Sequence, residues 1–298
     1  MRRTVALAAS LIVYAVITSF PASAMAGSMR MVALDVGEGQ AVLFAKDGHG
    51  LLVDAGPPHR AAELVRDIKD IGVNHLDCLI LTHLHPDHTG GLFRILEEWP
   101  GMRIIENGHR PPANRMPDLS RWAGQVLEKH QNVDVVGAGD RVFWQGAQID
   151  FIWPKKIRDH NLNRNSLVLI LSHAGERVLI MGDVGTGVER VLLRQEVFER
   201  ELEIKALVAG HHGSKNSSSS DFLQRISPQH AIICIDRNNI RGYPNQNTVN
   251  RLERYSEHVH RSWNGDVMIS VGSGHNQKET TTSDPVHGNR QRKQGMKQ

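Results

Sequence analysis

The sequence predicts an α/β fold, on three observations. Apolar strands alternate with amphipathic helices as far as Glu98, and the same strand, loop, helix order returns after Leu167. In each half a strand runs directly into a cluster of polar, metal-ligating side chains. A ligand loop at the carboxyl end of a strand is where α/β sheets commonly hold their sites. A chain of 298 residues can bury one large core, and length alone allows one or two domains.

The elements follow in order. Strands are expected at Met31 to Val36, Ala41 to Phe44 and Leu51 to Val53, the first two joined by a Gly-rich turn. Gly37-x-Gly39 there lacks the third glycine and the helix start that a dinucleotide fingerprint needs. Ala61, Leu64, Val65 and Ile68 share one face of a helix from about Arg60 to Ile71. A buried strand, Leu76 to Leu81, leads into the first ligand loop, with a helix from Gly91 to about Glu98. After the Pro-rich stretch Arg110 to Pro117 comes a helix near Leu119 to His130, which opens a strand-rich block. Arg141 to Trp144 and Gln148 to Trp153 pair around Gln145-Gly146-Ala147, and Leu167 to Leu171 and Arg177 to Met181 pair around Ala174-Gly175. The block closes with helix Gly187 to Leu193, strand Ile204 to Val208, ligand loop His211 to Ser219, helix Ser220 to Ile226 and strand His230 to Ile235. The run Ser217 to Ser220 reads as loop followed by an N-cap for that last helix.

Arg2-Arg3, an apolar run from Thr4 to Phe20 and the small residues Pro21 to Ala26 have the layout of a secretory signal peptide, cleaved after Ala24 or Ala26. An uncleaved membrane anchor is the alternative, though the run is short for a spanning helix. The reading is therefore residues 1–26 as signal peptide, 27–274 as one folded domain and 275–298 as a basic, disordered tail, in an exported chain that is periplasmic or secreted. The net charge of +3 divides unevenly. Setting aside the two leader arginines and the +3 of the tail leaves the body at −2, which offers no electrostatic support for extensive binding to a nucleic-acid backbone. Cys78 and Cys234 sit in apolar runs far apart, without metal or redox spacing, and read as buried hydrophobes.

The most informative stretch is Thr82-His83-Leu84-His85-Pro86-Asp87-His88, with three imidazoles and a carboxylate inside six residues after an apolar strand. Alternation puts His83 and His85 on one side of an extended backbone, and Asp87 and His88 can then face a second ion. No Gly-x-Ser-x-Gly or adjacent Cys/His pairing suggests a covalent mechanism.

His-x-His-x-Asp-His after a hydrophobic strand resembles the signature of the metallo-β-lactamase fold superfamily. Leu34 to Ala41, Leu52 to Gly56, Asn165 to Val168, Met181-Gly182-Asp183 and Gly210 to Lys215 occur in the order found in the hydrolase-like domain of ComEC-type DNA-uptake proteins. The resemblance runs from about Met31 to Val271. It implies an αββα sandwich with the site along one edge of two facing sheets, and two divalent metal ions, zinc first, with manganese or iron as alternatives. By resemblance His83 and His85 serve one ion, Asp87 and His88 the other, and Asp183 bridges. His211 matches the later ligand of the second ion, with His212 as the alternative and the other of the two as an orienting donor. The third ligand of the first ion is expected between Pro154 and Leu167, which nominates His160, with Asn163 or Asn165 as neutral oxygen donors and His109 as runner-up. Asp54 orients the His loop by resemblance, and Asp87 or Asp183 positions a metal-activated water, its pKa lowered to roughly 7. Tyr243 stands where the family usually has His, so a phenol takes that place and can hydrogen-bond a substrate oxygen. Ser214 and Lys215 are candidates for a phosphate or carboxylate oxygen of the substrate, against an ordinary solvated loop lysine.

The leading functional expectation is an exported metal-dependent hydrolase of phosphodiesters, a nuclease or nucleotide phosphodiesterase, with the substrate resting on family analogy. Hydrolysis of a lactam, lactone or thioester is the second reading, and a non-catalytic binding module of the same fold the third. The sequence shows no transmembrane channel, so transport is not expected as its own activity, and a separate membrane channel is a candidate partner. Nothing in the sequence speaks to oligomeric state.

Overall fold

A computed structural model describes residues 28–157, 159–198 and 202–272. The expected signal segment and the tail beyond Gly274 lie outside the described residues. Fourteen strands among them form two seven-stranded sheets. The first sheet contains β1 (Met29–Ala33), β2 (Val42–Lys46), β3 (His49–Val53), β4 (His75–Ile80), β5 (Arg103–Glu106), β6 (Val133–Val135) and β14 (Val267–Val271), in the order β14-β1-β2-β3-β4-β5-β6. The second contains β7 (Arg141–Trp144), β8 (Ala147–Trp153), β9 (Val168–His173), β10 (Glu176–Ile180), β11 (Ala206–Val208), β12 (His230–Ile233) and β13 (His258–Arg261), running β13-β12-β11-β10-β9-β8-β7. Each sheet is mixed. β3 to β6 and β10 to β13 are parallel, and antiparallel pairs complete both sheets.

Alternation along the strands sends one set of side chains between the sheets and the other under the helices. Phe44, Val53, Phe151, Leu169, Ile180, Val208 and Ile269 fill the layer between the sheets. Outside the first sheet, α1 (Ala61–Asp70), α3 (Leu92–Glu98) and α4 (Asp118–Lys129) bury Leu64, Ile68, Leu92, Ile95, Ala123 and Leu127. Outside the second, α5 (Thr186–Leu192), α6 (Ser220–Ile226) and α7 (Gln246–Tyr255) bury Val188, Leu192, Phe222, Ile226, Val249 and Leu252. The result is a single αββα sandwich with three apolar layers. Cys78 and Cys234 are free and buried in the middle layer, where burial pushes both thiols up to about 12. No helix among the described residues is long and apolar enough to cross a membrane.

The ligand loops emerge at the carboxyl ends of parallel strands on both sides of the sandwich. β4 ends at Ile80, and the short helix α2 (Pro86–Thr89) then carries Asp87 and His88. The turn before β2 presses on this helix: a Cβ at Gly39 would lie 2.3 Å from the Asp87 carbonyl oxygen, and Gln40 N donates to that oxygen at 3.1 Å. A Cβ at Gly90 would lie 2.2 Å from Pro58 N, so only glycine lets the helix exit pack there.

Candidate metal centre

Asp54 follows β3 with a left-handed backbone, φ 62°, and is fully buried. Its carboxylate collects four donors: Thr82 N at 2.8 Å on Oδ1, and Gln40 Nε2 at 2.8 Å, Thr82 Oγ1 at 2.8 Å and His88 Nδ1 at 2.7 Å on Oδ2. Saturated in this way, Asp54 orients ligands and offers no oxygen to an ion. Its bond fixes His88 with the proton on Nδ1, leaving Nε2 a bare acceptor. Because Thr82 Oγ1 donates to Asp54, its oxygen can only accept from His83 Nδ1, 3.1 Å away, and His83 Nε2 is bare as well.

The second sheet contributes the rest. Asp183 follows β10, and Gly210 to Ser214 follows β11, with His211 and His212 both left-handed at φ 50° and 53°. These two successive residues turn their rings apart. His212 Nδ1 donates to the Cys234 carbonyl at 2.7 Å, so its Nε2 is a third bare nitrogen, 3.3 Å from His88 Nε2. Two imidazole lone pairs facing one another in a buried space repel unless a cation lies between them, which is the donor arrangement a metal requires.

Two groups have ligand atoms converging on common points: His83, His85 and Asp183, and Asp87, His88 and His212. His83 Nε2 and His85 Nδ1 are 3.0 Å apart. Asp183 links the groups, with Oδ2 3.7 Å from His83 Nε2 and Oδ1 3.3 and 3.5 Å from His88 and His212 Nε2. That Oδ1 is buried and accepts no hydrogen bond. Burial would raise both carboxyls, but the surrounding imidazoles overcome it and hold Asp87 and Asp183 well below the usual carboxylate range. Conversely, burial would lower His88 and His212, but the carboxylates prevail and raise them, while burial wins at His83, His85 and His211 and lowers them. The carboxylates therefore stay ionised, and the extra proton they hold on His88 and His212 is one that a divalent cation would displace from each Nε2, so the residues present fit two divalent cations.

Two expectations need correction. His212, not His211, joins Asp87 and His88. His211 turns to the other side of Asp183, with Nε2 3.7 Å from Oδ2 and 3.2 Å from Asn163 Nδ2. His160, nominated for the first ion, is exposed and belongs to neither group. The Asp159 carboxylate accepts from Asn161 N at 2.9 Å and pairs with Arg164 at 3.1 Å, shaping a turn that leaves His160 in solvent. His109 is buried beside Asp159 and also stands in neither group. Of the two asparagines, Asn165 is committed to the turn through Asp159 O at 3.1 Å and Asn161 O at 2.9 Å, whereas Asn163 Oδ1 is buried without a partner beside His211.

Among the remaining candidates, Ser214 is buried, its carbonyl accepting from Thr248 Oγ1 at 2.9 Å, and Lys215 is exposed. The Tyr243 ring packs edge-on against His211 at 5.5 Å. Residues that the sequence reading passed over matter as much. Arg241 donates from Nη1 to Asp87 Oδ2 at 2.9 Å and pairs through Nε with Glu38 at 2.7 Å, with its side chain 42% exposed at the rim. Glu189, on α5, accepts from Ser218 N and Ser219 N at 2.5 and 2.8 Å. Arg251, on α7, donates to the carbonyls of Ser218 and Ser217 at 2.7 and 2.9 Å. Proximity to Gly242-Tyr243-Pro244 was the one available pointer to Arg241, and no local pattern marks the other two.

A family model of the metallo-beta-lactamase superfamily matches residues 34–236. The chain belongs to that superfamily. Its known hydrolases are metal-dependent, and the two His/Asp groups suit that chemistry. It is homologous to ComEC-type competence proteins. It is 30% identical over 244 residues to recombination protein 2 of Haemophilus influenzae, covering 80% of this chain and 28% of that protein. It is 32% identical over 203 residues to ComE operon protein 3 of Bacillus subtilis, covering 66% of this chain and 25% of that protein. The chain thus spans roughly a quarter of the length of these relatives. In fold it is similar to the metallo-beta-lactamase fold protein YhfI of Bacillus subtilis, with TM-score 0.54 and 12% identity, covering 81% of this chain and 99% of that one.

Proposed function

We propose that the protein is an exported, metal-dependent phosphodiesterase, with a nucleic acid or nucleotide as substrate class. The observation that carries the phosphodiester reading is Arg241, a partly exposed guanidinium 2.9 Å from Asp87 at the rim of two adjoining ligand groups. A lactone or thioester is neutral at its reacting carbonyl, whereas a phosphodiester brings an anionic non-bridging oxygen at the reacting centre that guanidinium geometry matches. Divalent ions, with zinc the foremost candidate, would supply Lewis-acid polarisation of the phosphoryl group and activation of water. The residues do the rest: Asp87 and Asp183, ionised at neutral pH, hold and orient the attacking water, and Arg241 steadies the charged phosphoryl oxygens. The body's net charge of −2 favours a short segment over a long nucleic-acid footprint. A separate membrane channel is the partner this reading expects, in line with the competence names of the relatives.

The test is hydrolysis of bis(p-nitrophenyl) phosphate and single-stranded DNA after loading with zinc or manganese, with Asp87→Ala and His212→Ala as controls. Cleavage lost in both variants is the expected result. Metal loading with turnover of lactones or thioesters and none of phosphodiesters would replace the substrate class. Absence of metal binding would leave a non-catalytic module of this fold.

A further inference from the structure

Three histidines outside the candidate centre gather at the far end of the second sheet. β12 opens with His230, its parallel neighbour β13 sets His258 in register with it, and His260 stands opposite Ile232. Ile232 belongs to the apolar layer between the sheets, and residues two apart on a strand share a face, so all three imidazoles project on that inner side. His230 Nδ1 and His260 Nε2 are 3.0 Å apart, the same separation as His83 Nε2 and His85 Nδ1 in the candidate centre. The His258 ring stacks on His230 at 5.1 Å and 25° and lies 6.3 Å from His260.

The cluster is separate from the site already described. Cys234, whose carbonyl receives His212, follows His230 by four residues along the same strand direction, roughly 13 Å at strand rise. His230 is buried, His260 half-buried and His258 exposed. Burial first, then the neighbouring His230 and His258, push His260 down to about 4, so it presents the neutral imidazole that metals bind. Among the described residues β13 is also an edge of its sheet, paired with β12 alone.

We propose that His230, His258 and His260 form an additional binding site for one divalent transition-metal ion of the zinc, nickel or copper class, clipping edge strand β13 to β12. His230 and His260 already converge. His258, exposed, completes the set by a side-chain turn, a rotamer change that costs little at a surface. Imidazole donors select this class over calcium and magnesium, which take oxygen ligands. The inference is independent of the phosphodiesterase reading.

The experiment counts zinc on the metal-stripped full chain after equilibrium dialysis, in the wild type and in a His258→Ala/His260→Gln double variant. The double variant is expected to hold one ion fewer per chain. The same deficit is expected in an Asp87→Ala/His212→Ala background, which separates this site from the candidate centre. In that background zinc should also raise the thermal midpoint, and the two further substitutions should reduce the rise, leaving the part that an ion on His83, His85 and Asp183 supplies. Equal zinc counts with and without His258 and His260 would overturn the proposal. Should the double variant fail to fold by circular dichroism, His258→Ala alone, at an exposed position, should weaken zinc binding in that background at least tenfold. An unchanged affinity would count against the site.

Discussion

Asp54 offers the candidate centre no ligand atom yet orders it, because four donors converge on its carboxylate and one of them fixes the proton of His88 on Nδ1. Its strained backbone, φ 62°, costs about 1 kcal/mol or more and holds the carboxylate where the bonds need it. Asp54→Ala is therefore expected to lower metal affinity roughly 10- to 100-fold, as loss of a ligand's orienting partner commonly does, while the ligands themselves remain. Competition with a chromophoric chelator measures this, and an unchanged affinity would mean that the His88 tautomer needs no such partner. Arg241→Ala should leave metal content intact but cut kcat/KM for a phosphodiester about tenfold or more, the scale of one charged hydrogen bond, with Arg241→Lys retaining part of it. At this scale the sequence is most legible where ligands are local: His83, His85, Asp87 and His88 lie within six residues and need no tertiary argument. Choosing between His211 and His212 depends on two consecutive left-handed residues, and the role of Arg241 depends on a contact 154 residues away. Neither leaves a pattern in sequence.

Between residue and fold, the loop Gly210 to Ser219 is held by two helices that do not contain it. Glu189 from α5 takes two of its amide hydrogens, and Arg251 from α7 takes two of its carbonyls. Glu189→Ala would leave the buried Ser218 amide and the part-buried Ser219 amide without acceptors, costing about 1–3 kcal/mol each at most. A lowered thermal midpoint together with weaker metal binding is the expected outcome, whereas stability lost with affinity intact would uncouple the loop from the centre. β13 supplies a pH test. His260 has its pKa depressed to about 4 in the fold against 6.5 unperturbed, so the unfolded chain binds the extra proton between these values. Its contribution to stability is present above about pH 6.5 and is lost as pH falls towards 4, and His260→Gln should flatten the midpoint in that window. The elements outside the sequence reading divide by cause. β6 and β13 are short, partly exposed edge strands with little apolar signal, and β5 has four residues. α7 is strongly polar, with Val249 and Leu252 its only buried apolar side chains, and β14 carries a period of two that becomes meaningful once β1 is known to pair with it. The long hairpins and buried parallel strands, by contrast, were readable because burial on both faces demands continuous apolar runs.

The centre is built across the seam of the sandwich: His83, His85, Asp87 and His88 follow strands of the first sheet, and Asp183 and His212 follow strands of the second. An ion held by ligands from both sheets binds the folded chain and not the unfolded one, so it stabilises the whole molecule by RT ln(1 + [M]/Kd), about 4 kcal/mol at a thousandfold excess over Kd. The two cysteines report on the same event from inside. Cys78 on β4 and Cys234 just after β12 face the shared apolar layer from opposite sheets, 5% and 2% exposed, with thiols pushed up to about 12. Neither is accessible or ionised at neutral pH, so a thiol reagent can reach them through opening of the sandwich alone. Both should label slowly and at one common rate in the folded protein, and quickly once it is denatured. Saturating metal should slow both rates by the same large factor, and Asp87→Ala should reduce that protection. Protection of Cys234 alone would show that the ions brace only the second sheet, whereas equal protection of both thiols is what an ion clamped between two sheets must produce.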